Sequence, residues 1–258
     1  LTIDGTSYKG GVDISSISAS NTLTLTAGSV SDFSAEIVQA GNSTFNFSAQ
    51  AATDSGNITL SALSGSSTTI SLGAGTGSFS AASINMSDDV AITAASFGGT
   101  IDVGAISGSG VTITGGTRGD FSAEDVYALG TFTLDGSTGV SGSTVKLHDV
   151  TAGAVNITLG NATGADVLLS AIDVGGSFTM NATGETQGNI LVAEMLSASA
   201  SITIGVGAST NVSGSSIDAG GDFTLNQSGQ GSGSITVRDL GVGGAVSISL
   251  GAGSSSLT

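Results

Sequence analysis

The stretch IDAGGDFTLN, from Ile217 to Asn226, decides how this chain folds. Nearly the same string, IDVGGSFTMN, runs from Ile172 to Asn181, 45 residues earlier. An apolar residue, Asp, Gly-Gly, Phe-Thr and Asn keep their places while the residues between them drift. Part of this string recurs along the whole chain as an apolar–hydroxyl–apolar triplet. It reads LTI at Leu1, LTL at Leu23, FNF at Phe45, ISL at Ile70, VAI at Val90 and VTI at Val111. It continues as FTL at Phe132, ITL at Ile157, FTM at Phe178, ITI at Ile202, FTL at Phe223 and ISL at Ile248. From Phe132 onward the spacings are 25, 21, 24, 21 and 25. The longer steps read as extra Gly, Ala or Ser at the corner before the next triplet, as in LGVGGAV from Leu240. Between Ile70 and Phe132 this alternation fails.

Each unit carries a second apolar segment, such as FSAEIV from Phe33, IDVGAI from Ile101, VKLHDV from Val145 and ITVRDL from Ile235. Within the triplets, alternation places two apolar residues on one face and the hydroxyl on the other. β-Branched Ile, Val and Thr favour strands, and dominant Gly and hydroxyl residues disfavour helix. A unit of 20–25 residues cannot bury its own apolar face, but stacking on the next unit does so. The reading is an all-β fold: a single-stranded parallel β-solenoid, or β-helix, of about 12 coils of 20–25 residues, wound right-handed as parallel crossovers are. It forms one continuous domain over residues 1–258, consistent with a segment of a longer chain. At about 4.8 Å per coil the rod is roughly 55 Å long. An antiparallel sandwich or barrel is the competing all-β fold.

Composition agrees. The chain has 258 residues, 42 of them Gly and about 29% Ser plus Thr, with 39% hydrophobic residues and no Pro, Cys or Trp. Pro would remove ladder donors from central strands. The net charge is −16, and Lys9, Arg118, Lys146 and Arg238 are the only basic residues. Nucleic-acid binding needs clustered Lys and Arg and is excluded, as is attraction to anionic membrane surfaces. No apolar run is long enough to insert in a membrane as a helix. Zero Cys excludes disulfides and thiol chemistry.

IDAGGDFTLN and IDVGGSFTMN resemble the I-x-A-G-G-D-L-T-L core of haemagglutinin-type adhesin repeats. The Gly/Ser/Thr/Ala-rich, Cys-free, acidic texture resembles repeat regions of large bacterial and archaeal surface-layer β-solenoid proteins. The resemblance implies an extracellular, cell-surface solenoid used as stalk, fibre or lattice.

Little in the sequence reads as chemistry. His148 is the only histidine, and VKLHDV places it outward on a strand. Polysaccharide-acting β-helix enzymes need carboxylates facing one cleft; Asp88-Asp89 and Glu124-Asp125 are the adjacent acidic pairs, both read as turn or strand-end positions. No catalytic residue, cofactor-binding residue or metal ligand is assigned. Neither the nonapeptide nor the EF-hand calcium pattern is present, which leaves calcium at scattered Asp pairs or at subunit junctions as the one candidate cofactor. Arg118-Gly119-Asp120 spells an integrin tripeptide that arises easily by chance here. A rank of outward Thr (Thr2, Thr24, Thr112, Thr133, Thr158, Thr179, Thr203 and Thr224) raises ice binding, although Asn46, Ser71 and Ala91 break it.

Nine of 11 Asn begin N-x-[ST], where a 29% hydroxyl content gives about three by chance: Asn42, Asn46, Asn57, Asn85, Asn156, Asn161, Asn181, Asn211 and Asn226. These are candidate N-glycosylation sites, although strand alternation can also generate the pattern. The functional expectation is a structural extracellular protein, without enzymatic activity, that self-associates head to tail into a fibre, surface layer or adhesin stalk. The alternative is an adhesin module that binds glycans or a partner; a polysaccharide-acting enzyme and an ice-binding solenoid stand behind it.

Overall fold

The computed structural model describes residues 1–6, 8–28, 32–48, 54–115, 119–136, 142–160, 163–183, 187–194, 196–207, 209–229, 232–251 and 256–257. Among these the protein is all-β: its strands join one 20-stranded sheet in which each runs parallel to its neighbours. The sheet is wound as a β-solenoid of about ten turns. The antiparallel alternatives are thereby overturned.

The strand Asp32–Phe47 shows how one turn is built. Phe33 and Ala35 point inward, then Glu36 and Ile37 both face out. Val38 and Ala40 point inward again, the chain turns at Gly41, and Ser43, Phe45 and Phe47 form a third inward set. A turn thus has three legs. Two successive outward residues, Glu36 and Ile37, mark the first corner, where the period-2 pattern first slips. The second corner is the Gly-Gly of the repeated string. A Cβ on Gly220 would lie 2.3 Å from the Ser199 carbonyl oxygen, and one on Gly176 would lie 2.6 Å from that of Gly153. Stacked corner backbones therefore leave no room for a side chain. The third corner leads into the next turn.

Equivalent residues stack in columns. On the first leg Val12 lies beside Phe33, followed by Ile58, Phe79, Ile101 and Phe121, and the column runs on through Val145 and Ile190 to Leu257. On the third leg Val111, Phe132, Val155, Phe178, Ile202 and Phe223 follow one another, each 0% exposed. A ring thus recurs every second coil on the first leg from Phe33 to Phe121 and on the third leg from Phe132 to Phe223, with a smaller aliphatic between. Coil spacing is fixed by backbone bonds near 4.8 Å, so bulky and slim side chains must share the axial space at close packing. This two-coil size alternation is why the near-identical strings lie 45 residues apart. Where Phe33, Phe45 and Phe47 crowd one turn, with the Phe33 and Phe47 rings edge to face at 5.0 Å, the column shrinks to Ser43 and Thr68. Their buried hydroxyls bond each other at 2.8 Å.

The ladder corrects the register read from sequence. Leu25 pairs with Phe45, Phe45 with Ile70, Leu134 with Ile157 and Leu225 with Ile248. The equivalent triplets are therefore Ser43–Phe45, Thr68–Ile70, Val155–Ile157 and Val246–Ile248, each two residues earlier than the sequence suggested. A two-residue slip keeps the same side chains inward, so alternation cannot distinguish the two registers. In the true register the steps from Leu134 through Ile157, Met180, Ile204 and Leu225 to Ile248 are 23, 23, 24, 21 and 23. The 21/25 alternation dissolves, and so does its apparent failure. The extra residues also lie mostly elsewhere. From first leg to third the chain uses 10 residues (Phe33 to Ser43) to 12 (Ile190 to Ile202), but from third leg to the next first leg it uses 10 (Leu23 to Phe33) to 15 (Ser43 to Ile58). Length varies chiefly after the triplet, at the third corner.

Candidate functional site

The outward surface carries three arrays. The first is a side-chain ladder at the third corner. Asp32 Oδ1 accepts the Asn57 N–H at 2.9 Å, and Asn57 Oδ1 accepts that of Ser78 at 3.0 Å. Asp120 does the same for Thr144, Asp166 for Asn189 and Asn211 for Ser234. Each occupies the position just before the first inward residue, where a strand's leading N–H gains an acceptor from the coil beside it.

The second array is the hydroxyl column of the third leg. In the true register it runs Thr2, Thr24, Thr44, Thr69, Ala91, Thr112, Thr133, Asn156, Thr179, Thr203, Thr224, Ser247. Thr44 and Thr69 restore two breaks expected at Asn46 and Ser71, while Thr158 moves to the neighbouring column and Asn156 takes its place. The column holds no charged residue.

The third array is the first corner, where charge gathers. Glu124-Asp125 sits there inside the strand Phe121–Gly136, not at a strand end, whereas Asp88-Asp89 does lie in a bend before the strand Val90–Thr93. His148 lies at the same corner in the strand Thr144–Leu159, half-exposed, with Nδ1 3.1 Å from Asp149 Oδ2. Asp149 has φ 47° and Ala171, one coil on, φ 52°. Beside this corner lies a groove of about 360 Å³, lined among others by Asn85, Ser107, Asp125, Tyr127, Asp149 and Thr151. Asn85, Ser107, Tyr127 and Thr151 are successive members of one outward column. Sequence reasoning named Asp125 but missed the groove. The available signal was the pair of consecutive polar residues that interrupts an alternating strand.

The candidate glycosylation positions share a cause. In each described N-x-[ST], Asn and the hydroxyl face out and the middle residue is buried, as in Asn57-Ile58-Thr59, Asn156-Ile157-Thr158 and Asn211-Val212-Ser213. Strand alternation accounts for the excess. Asn42, Asn57, Asn85, Asn156, Asn181, Asn211 and Asn226 are exposed and Asn46 is half-buried; Asn161 lies outside the described residues, as does Arg118 of the integrin-like tripeptide. Several of these amides already bridge coils: Asn42 Oδ1 accepts the Ser67 hydroxyl at 2.9 Å, and Asn211 Nδ2 donates to Asn189 Oδ1 at 3.1 Å. Among the described residues no cluster of three His, Asp or Glu is arranged to hold a metal ion, and no helix is long and apolar enough to cross a membrane. Compared with family models, curated proteins and solved structures, the chain matches none.

Proposed function

We propose that this chain is a structural, non-enzymatic rod that works at the cell exterior as a building block of a fibre, surface layer or adhesin stalk, without a cofactor, by associating along its axis with further copies. In this reading the coil winds right-handed and a dozen rungs stack. One observation carries it: the parallel ladder runs from coil to coil along the rod, and its outermost described strands are paired on one side only. Among the described residues Thr2–Gly5 pairs only with Val12–Ala27, and Val246–Ser249 only with Phe223–Gln227. Val246 is 53% exposed although Phe223, Ile202 and Phe178 in the same column are 0% exposed. Such an edge accepts either the next coil of a longer chain or the end of another copy. Head-to-tail contact does not close on itself and so builds filaments.

Sedimentation velocity and electron microscopy across a concentration series test this. The expected result is end-to-end rods longer than one unit of about 50 Å, with Val246→Lys shifting the population to single units. Single units alone at every concentration would refute axial assembly. A second reading, an adhesin module that binds glycans, is favoured by the groove beside Tyr127.

A further inference from the structure

We infer that the groove beside Tyr127 is a saccharide-binding site for a short, uncharged oligosaccharide. Four observations converge on it. Tyr127 is 50% exposed on a leg whose inward neighbours Val126 and Ala128 are buried, so its ring contributes nothing to the core. Its column neighbours Ser107 and Thr151 are short, which leaves the sides of the ring open to a ligand. The Ser107 hydroxyl donates to Asn85 Oδ1 at 2.9 Å, so the Asn85 amide faces the groove with its donor hydrogens uncommitted to that bond. Asp125 and Asp149 supply carboxylate acceptors from two successive coils.

The backbone at Asp149 adds a fifth observation. Its φ of 47° lies in the left-handed region, and Ala171 follows suit one coil on. Non-Gly residues adopt that conformation uncommonly, Asp more readily than Ala. The conformation sets Asp149 on the groove rim, with His148 Nδ1 3.1 Å from its carboxylate. A fixed rim limits the ordering that a ligand must impose on binding.

This chemistry selects a class of ligand. An aromatic body with a polar tip suits a ligand that is apolar on one face and wet at its edge, and a pyranose ring has both. Carboxylates and an amide around the rim accept and donate to ring hydroxyls. Two carboxylates in a chain of net charge −16 repel uronic, sialylated or sulfated sugars, which leaves uncharged ones. The groove spans four coils, about 14 Å along the axis, enough for a short oligosaccharide lying across the rungs.

The test uses the whole 258-residue chain with cellohexaose, maltohexaose, mannohexaose and chitohexaose as probes, read by saturation-transfer NMR and calorimetry. Polygalacturonate and oligolysine serve as charged comparisons. The expected result is that at least one neutral probe binds with a Kd of about 1 mM or tighter. Tyr127→Ala then weakens it about tenfold or more, the worth of one good aromatic contact, while the urea midpoint stays in place because the side chain faces outward. Tyr127→Phe retains binding. The proposal is overturned if no neutral probe binds, if Tyr127→Ala binds as well as the native chain, or if polygalacturonate or salt-sensitive oligolysine binding exceeds that of every neutral sugar. None of these outcomes depends on whether the rods associate, so this site and the filament stand or fall separately.

Discussion

Replacing Phe132 by Ala tests the packing argument most sharply. Phe132 is 0% exposed, and the coils on either side place Val111 and Val155, also 0% exposed, against it. Large-to-small changes of this type cost about 3–5 kcal/mol, depending on how far the site collapses. Here it cannot collapse far. The coils are held near 4.8 Å apart by backbone bonds, and β-branched valines have one stiff χ1 and no length to reach across. The upper half of the range, about 4 kcal/mol, is therefore expected. The adjacent Thr133 points outward, and Thr133→Ala should change stability by no more than about 0.5 kcal/mol. Urea unfolding gives the first comparison. Hydrogen exchange gives the second, because a repeat stack opens by neighbouring units, so protection should fall over residues 111–159 before it falls elsewhere. If the two alanine variants lose equal stability, or Phe132→Ala loses less than about 1 kcal/mol, the alternating inward column is refuted.

Three further outcomes follow from the same geometry. Thr210 is 0% exposed and its hydroxyl has no partner among the described residues, so Thr210→Val should raise stability by about 1 kcal/mol; a fall in the urea midpoint would show that the hydroxyl is satisfied. A Cβ on Gly65 would sit 1.7 Å from the Ala40 carbonyl oxygen, so Gly65→Ala should cost about 2–3 kcal/mol, and an unchanged midpoint would contradict the corner packing. The Thr column is assigned to strand stability, so the chain should produce no thermal hysteresis in a freezing assay; hysteresis lost in Thr112→Lys would instead make that face an ice-binding one.

The parallel stack was legible because one string repeats, and repetition at a fixed interval demands stacking. IDAGGDFTLN carried nearly everything: Ile217 and Phe223 belong to two inward columns, Gly220 and Gly221 form the corner between them, and Thr224 faces out. The register was not legible. Ser43 and Thr68 occupy core positions without looking apolar, because Phe33, Phe45 and Phe47 take the volume around them, and an eye seeking apolar pairs slid two residues to Phe45–Phe47 and Ile70–Leu72. The groove was hidden for a different reason. Tyr127, Asp125 and Asp149 lie on two coils, and their proximity depends on a register that the sequence does not print. The excess of N-x-[ST] was visible, but only the inward Ile58, Ile157 and Val212 show that alternation produces it.

The most direct measurement is cross-linking between coils, clean in a chain that has no Cys of its own. Thr133 and Asn156 are ladder partners, so their Cα atoms lie about 4.8 Å apart, inside the disulfide range of about 4.4–6.8 Å. Thr133 and Thr158 are offset by two residues, which puts them about 8 Å apart, beyond reach. The account predicts that Thr133→Cys with Asn156→Cys closes a disulfide on mild oxidation, seen as a loss of two hydrogens in intact mass, and that Thr133→Cys with Thr158→Cys does not. Closure of the second pair alone, or of neither, would contradict parallel coils stacked in this register.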